Sequence, residues 1–141
     1  MITKLSELAE KAKNSGKKTR IAVAVAEDSN TINAILQAIK DDFIYPVLIG
    51  NETKIKELLT SDIVFNQVEI KNITEPAQAV KEAVRMVRNE EADVLMKGLV
   101  GTDTFLKAVL DKEQGLLPTK AVMSYTCALE IPKYHKLLFV S

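Results

Sequence analysis

The sequence contains one cysteine, one histidine and no tryptophan among 141 residues. The single cysteine, Cys127, cannot form an internal disulfide, and with one histidine, His135, no Cys/His cluster occurs at metal-ligand spacing. No apolar run approaches the ~18 residues that span a membrane, and the first residues lack the apolar core of a signal peptide. We therefore predict a cytoplasmic protein in a reducing compartment, with no membrane segment and no structural metal.

The sequence also lacks an excess of either charge. Lys plus Arg total 19 and Asp plus Glu total 19, so electrostatics indicate neither nucleic acid nor an anionic membrane as a partner. The length is typical of one domain and is sufficient to bury a hydrophobic core. We therefore expect a globular domain whose function must be inferred from local motifs.

Short apolar runs alternate with amphipathic segments along the first 110 residues. After an opening helix at 3–14, the pattern predicts strands at 20–27, 43–50, 64–70 and 93–97. Each strand is followed by a predicted helix: one after Asp28, one at 52–59, one beginning near Pro76 and one at 102–110. Such alternation is typical of βαβ units and predicts a doubly wound, mostly parallel sheet with helices on both faces.

The last 21 residues break this rhythm. Two extended stretches, 121–131 and 136–140, are separated by 132–135, which predicts a hairpin-like extension. The final residues, LLFVS, end inside an apolar run. We interpret this ending as the front half of a longer chain; the alternative is a terminal edge strand.

Ligands of open parallel sheets bind where strands end and helices begin. Three loops qualify, at 27–30, 50–52 and 97–102, and the last is the richest. Gly98 and Gly101 let the backbone approach an anion, Thr102 supplies a hydroxyl at a helix start, and Lys97 adds positive charge. The spacing matches neither the P-loop nor the dinucleotide fingerprint. The alternative is a tight strand-to-helix turn with a solvated lysine.

Other polar residues have both structural and functional interpretations. Asp28 is a ligand candidate, although an acid before a helix is usually its cap. Ser124 offers a hydroxyl to a phosphate or acyl oxygen, or is a polar position on a half-buried strand. We expect Cys127 to be a buried, inert thiol and His135, with no adjacent acid, not to act as a general base.

Two segments resemble the phosphate acetyl/butyryltransferase family, most like its butyryl-transferring members. They are MKGLVGTDTFLKAVLDKEQGLLP at 96–118 and EIPKYHKLLFVS at 130–141, and the segments IAVAVAEDSNTINAI and YPVLIGNETKI fit the family's opening. The resemblance implies acyl transfer between coenzyme A and inorganic phosphate through an acyl phosphate, with coenzyme A as a substrate and no bound cofactor or metal. It also implies a two-domain fold like that of isocitrate and isopropylmalate dehydrogenases, and complete chains about twice this long.

The family's site residues carry over by position. The resemblance implies catalytic roles for Lys97, Thr102 and Ser124. Phosphate or substrate contacts would come from Gly98, Gly101, Thr102 and Lys107, and Asp28 is a further candidate because of its place after the first strand. The sequence departs from the family where relatives often have a hydroxyl at 101, an arginine at 107 and a histidine at 125. The resemblance also implies an acid-base aspartate in a later part of the family's chains, which these residues do not include.

The interpretation leaves rivals open. Butyryl is favoured over acetyl as the transferred group. A homodimer or higher oligomer is expected, with the apolar tail after Pro118 pairing across a dimer; the alternative is that this tail exposes surface that a missing partner domain would cover. One rival is another enzyme of the dehydrogenase-like superfamily. A second is a ligand-binding or interaction domain without catalysis.

Overall fold

A computed structural model describes residues 2–59 and 65–141, which form two compact units. One unit is Lys18–Thr119; the other combines the residues up to Lys17 with Lys120–Ser141. The helices are α1 Leu5–Lys13, α2 Ser29–Lys40, α3 Glu52–Leu58, α4 Pro76–Arg88 and α5 Thr102–Val109. The strands are β1 Thr19–Ala24, β2 Ile44–Gly50, β3 Glu69–Asn72, β4 Val94–Lys97, β5 Cys127–Leu129 and β6 Leu138–Val140, with a 3-10 turn at Phe65–Gln67.

The first unit is built on a parallel sheet in the order β3-β2-β1-β4. Successive residues of β1 point to opposite faces, and from Ile21 to Ala24 they are all apolar: Ala22 and Ala24 pack with α4, whereas Val23 packs with α2. Helices α2 and α3 cover one face and α4 and α5 cover the other. The predicted doubly wound parallel sheet is confirmed, and its source is the two-sided apolar character of the two central strands, β1 and β2.

Some predicted strand limits are wrong. The first strand ends at Ala24 rather than Glu27, because Val25 has a φ of 58° and turns the chain out of the extended conformation. The third strand is Glu69–Asn72 rather than 64–70, and its predicted start at 64 lies outside the described residues. Residues 65–67 form a 3-10 turn instead of strand.

The second unit contains α1 and an antiparallel pair of strands, β5 and β6. The predicted hairpin is confirmed, but each strand has only 3 residues instead of filling 121–131 and 136–140. The Leu5 amide donates to Glu130 Oε2 at 2.9 Å, which ties the start of α1 to the residue after β5. Leu5 and Leu8 of α1 are exposed, so its predicted apolar face is not buried here.

No helix in the described ranges is long and apolar enough to cross a membrane. Within the same residues, no group of three or more His, Cys, Asp and Glu side chains is arranged to hold a metal ion. The relation of the fold to the dehydrogenases stays a prediction.

Candidate functional site

The sheet order creates a crevice between β1 and β4. The chain leaves β1 for α2 on one face and leaves β4 for α5 on the other, so the two connections diverge from neighbouring strand ends. In open α/β sheets such a topological switch point is where ligands bind. The two loops at this point are 25–28 and 98–101, and they overlap two of the three loops that the sequence singled out, 27–30 and 97–102.

Backbone hydrogen bonds fix the two loops against each other. The Gly98 amide donates to Ala24 O at 2.9 Å and the Leu99 amide to Val25 O at 2.8 Å. A Cβ on Gly98 would lie 2.2 Å from Val25 O and 2.8 Å from Ala24 O, far inside contact distance. Glycine is therefore required at position 98 because the two backbones approach so closely, in agreement with the interpretation of this loop as a tight strand-to-helix turn. The same close approach sets where α5 begins.

Helix α5 begins without a side-chain cap. The N-cap residue is Gly101, which has no side-chain oxygen. By contrast, α2, α3 and α4 are capped by Asp28, Asn51 and Glu75, each of which accepts a hydrogen bond from a first-turn amide. The first amides of α5 therefore lack the acceptor that its three neighbours carry, and they lie at the positive end of the helix dipole.

Lys97 and Thr102 flank this uncapped helix start. Lys97 is the last residue of β4, is exposed, and its Nζ lies 3.4 Å from Gly98 O. Thr102 is the first residue of α5 and is exposed. An ammonium group, a hydroxyl and free helix amides thus stand at one turn, which is the chemistry that holds a phosphate.

Asp28, predicted as a ligand candidate, is occupied as the cap of α2. Its Oδ1 accepts from the Thr31 amide at 2.9 Å and its Oδ2 from Thr31 Oγ1 at 2.6 Å. Burial raises the pKa of Asp28, but the Thr31 hydroxyl and amide bonds, with a smaller effect of Lys97, lower it overall. The structure thus confirms the alternative interpretation of the sequence, in which Asp28 caps α2. A contact between Asp28 and a ligand stays a prediction.

Glu27 is a buried carboxylate at the same edge that the sequence analysis did not single out. Its side chain is 8% exposed, and it accepts from the Asn51 amide at 2.8 Å and from Lys54 Nζ at 2.9 Å. Burial raises the pKa of Glu27, but these two partners lower it overall. Glu27 joins the ends of β1 and β2. The sequence signal that could have identified Glu27 is its place as an ionisable residue directly after a wholly apolar run, 21–26.

The remaining predicted residues lie elsewhere. Lys107 lines a groove of about 550 Å³ between α4 and α5, along the helix from the loop at 97–102. Ser124 belongs to the second unit, is exposed and precedes β5 rather than lying in a strand. Cys127, predicted as buried, is half-buried. The roles of Lys107 and Ser124 rest on sequence resemblance alone.

Comparison with known proteins gives a consistent result, although no protein-family model matches the chain. A probable phosphate butyryltransferase of Bacillus subtilis is 41% identical over 98% of this chain and 45% of its own length. A phosphate butyryltransferase of Clostridium acetobutylicum is 37% identical over 100% of this chain and 46% of its own length. This chain is a relative of the phosphate acetyl/butyryltransferases. It spans less than half the length of these curated relatives.

A phosphate acetyltransferase of Thermotoga maritima also matches, at 34% identity over 97% of this chain and 46% of its own. Among solved structures, a branched-chain phosphotransacylase from Enterococcus faecalis superposes with a TM-score of 0.52. It is 20% identical, over 65% of this chain and 33% of that one, so this likeness concerns the fold alone. The segment 96–118, which resembles the phosphate acetyl/butyryltransferases, contains the uncapped turn at the switch point.

Proposed function

We propose that this chain supplies the phosphate-binding part of an acyltransferase that moves a short acyl group between coenzyme A and inorganic phosphate. The observation that carries the proposal is the uncapped start of α5, which lies beside Lys97 at the switch point of the sheet. Relatives named for this reaction are similar in sequence across the same segment. The shorter length of the chain relative to them makes the whole reaction a proposal for this protein.

The chemistry requires that negative charge be held in place. An oxygen of inorganic phosphate attacks the thioester carbonyl carbon, a tetrahedral oxyanion forms, the carbon–sulfur bond breaks, and coenzyme A leaves as a thiolate that takes up a proton. The α5 amides and the Thr102 hydroxyl would orient the phosphate, and Lys97 would offset its charge and that of the oxyanion. Positioning and charge stabilisation of this kind need no bound cofactor, and coenzyme A enters as a substrate.

Butyryl is the proposed acyl group, ahead of acetyl. Relatives named phosphate butyryltransferase are 37% and 41% identical, whereas a relative named phosphate acetyltransferase is 34% identical. The two reactions share one mechanism and differ in the room left for the acyl chain. A comparison of kcat/KM for butyryl-CoA and acetyl-CoA decides between them.

The proposal includes a cytoplasmic location and a homodimer or higher oligomer. The second unit exposes apolar side chains, among them Val122 at 88% and Phe139 at 61%. Exposed apolar surface of this kind favours association. Light scattering coupled to size-exclusion chromatography measures the oligomer directly.

The activity test follows thiol release from butyryl-CoA with and without inorganic phosphate, together with trapping of butyryl phosphate as a hydroxamate. It is run on the 141-residue chain and on the product of its complete reading frame. Phosphate-dependent release of thiol with butyryl phosphate as the product supports the proposal, in either protein. Release that is independent of phosphate, which is hydrolysis, or no reaction in either protein contradicts it.

A further inference from the structure

Glu27 is an ionised side chain in a buried position beside the switch point. Its side chain is 8% exposed and both carboxylate oxygens have a partner: Oε1 accepts from the Asn51 amide at 2.8 Å and Oε2 from Lys54 Nζ at 2.9 Å. A buried ion pair is often no more stabilising than apolar side chains of similar volume. Stability alone therefore gives little reason for a carboxylate at this position.

The backbone at the end of β2 leaves room for this carboxylate. Gly50, the last residue of β2, has a φ of 156°, and a Cβ there would lie 3.0 Å from Glu27 Oε1 and 3.2 Å from Glu27 Cγ. The Ala26 amide also donates to Ile49 O at 3.1 Å. The segment 25–28 is therefore attached to β2 twice, by the backbone of Ala26 and by the side chain of Glu27.

The other side of the same segment holds the turn at which α5 begins. Ala24 O accepts from the Gly98 amide at 2.9 Å, and Val25 O accepts from the Leu99 amide at 2.8 Å. The Glu27 amide donates to the same Val25 oxygen at 2.9 Å. One carbonyl oxygen thus links Glu27 to Leu99.

Val25 has an unfavourable backbone conformation at this link. Its φ of 58° lies in the left-handed region, which β-branched residues rarely adopt. Strain of this kind persists only where the surrounding structure imposes it. Val25 lies between its bond to Leu99 and the attachment of Glu27 to β2, so we expect loss of that attachment to let Val25 relax and its carbonyl oxygen turn away from Leu99.

We infer that Glu27 is a positioning residue: through Val25 it holds the turn at 98–101 in the arrangement that presents the start of α5 to a phosphate. The inference rests on the proposed function for the identity of the ligand. Position and charge have opposite consequences here. The negative charge of Glu27 repels an anion, so charge alone predicts tighter phosphate binding when Glu27 is replaced by a neutral residue, whereas positioning predicts weaker binding.

The test is an NMR titration of the 141-residue chain with inorganic phosphate at fixed ionic strength. Binding is followed by the amide shifts of Thr102 and Asp103, and the hydrogen exchange of the Leu99 amide is measured on the same samples. Glu27→Ala is expected to weaken phosphate binding about tenfold and to speed Leu99 exchange by about tenfold or more. Glu27→Gln keeps an oxygen that can accept from the Asn51 amide, so it should weaken binding only about threefold.

Two further variants separate position from charge. Glu57→Ala removes the same charge from an exposed place on α3 and should leave both measurements within about twofold of the unmodified chain. Gly50→Ala changes no charge, but its methyl group presses on Glu27 Oε1, and it should weaken phosphate binding about threefold. Circular dichroism checks that each variant is folded. If Glu27→Ala does not fold, Glu27→Gln and Gly50→Ala decide the question.

Weaker phosphate binding in the Glu27 variants and in Gly50→Ala, together with faster Leu99 exchange, supports the inference. Phosphate binding in the Glu27 variants that is unchanged, or tighter as charge alone predicts, overturns the inference and leaves the proposed function standing. Unchanged Leu99 exchange also overturns it, because the effect would not pass through Val25. If millimolar phosphate shifts neither amide in the unmodified chain, the phosphate site of the proposed function is wrong, and the inference fails with it.

Discussion

The close approach of the two switch-point loops makes Gly98→Ala a severe substitution. The new Cβ would lie 2.2 Å from Val25 O, and an ordinary contact begins at 3.4 Å, so the difference, 3.4 − 2.2, requires 1.2 Å of movement. The obstructing atoms are carbonyl oxygens of Ala24 and Val25, which accept hydrogen bonds from Gly98 and Leu99 at 2.9 and 2.8 Å. Movement of that size lengthens both bonds.

The expected cost is substantial for a single methyl group. Overpacking costs about 1–3 kcal/mol, and weakening of two backbone hydrogen bonds adds about 1 kcal/mol. We therefore expect a loss of about 2–4 kcal/mol, which for a unit of this size lowers Tm by roughly 8 °C or more. Urea unfolding followed by far-UV circular dichroism measures the free energy directly, since the chain has no tryptophan.

Gly101→Ala is the matched control for this substitution. Its Cβ would meet only the Asp103 carboxylate, with Oδ1 at 2.6 Å, and that flexible side chain can rotate away. The backbone at Gly101 has a φ of −60°, which alanine adopts freely. We expect a loss of about 0.5–1 kcal/mol, because alanine is a poorer N-cap than glycine, and this is smaller than the loss expected for Gly98→Ala. A free energy of unfolding for Gly98→Ala within about 0.5 kcal/mol of that of the unmodified chain would contradict the steric role assigned to Gly98.

Three further predictions concern charge and capping. The pKa of Glu82 is lowered to about 2, first by hydrogen bonds from Arg85 and then by Lys71, with burial opposing them. The ionised Glu82 carboxylate therefore stabilises the fold above its ordinary pKa of 4.5, and this stabilisation is lost as the pH falls toward 2. At pH 7, Glu82→Gln should lower the free energy of urea unfolding by about 1 kcal/mol, and the loss should shrink between pH 4.5 and pH 2. A loss that does not depend on pH would contradict this. Asp28→Ala should cost about 1 kcal/mol by loss of the α2 cap, and Asp28→Asn much less; equal costs in thermal unfolding would argue against the cap. Lys97→Ala should lower kcat/KM for phosphate by about 10–100-fold without a change in Tm, with partial recovery in Lys97→Arg; unchanged kinetics would exclude Lys97 from the site.

The fold could be predicted because its signals are local. The apolar residues of β1 and the spacing of Ile32, Ile35 and Ile39 in α2 each favour one conformation, and their alternation favours a parallel sheet. The end of β1 could not be predicted, because a positive φ at the β-branched Val25 is imposed by its hydrogen bonds to the neighbouring loop. Strands β5 and β6 are shorter than predicted, because a strand extends only as far as its residues pair with a partner strand. The composition of a segment does not specify that pairing.

The site was predictable in part for the same reason. The loop at 97–102 lies between a predicted strand and a predicted helix, so its place at the sheet edge follows from topology. Which side of a helix faces a neighbouring helix depends on packing, and the sequence pattern does not specify it. For this reason the sequence did not predict that Lys107 lines the groove between α4 and α5, farther along α5 than the loop at 97–102. Glu27 was missed because its burial comes from Asn51 and Lys54, which are distant in sequence.

The central claim is that the uncapped start of α5 holds an inorganic phosphate that accepts an acyl group from coenzyme A, with release of the coenzyme A thiol. The most direct measurement is the entry of radiolabel from inorganic phosphate into butyryl phosphate, in the presence and absence of coenzyme A, with the complete reading-frame product. We predict exchange that requires coenzyme A and is strongly reduced in Lys97→Ala. No exchange, exchange without coenzyme A, or exchange at full rate in Lys97→Ala would contradict it.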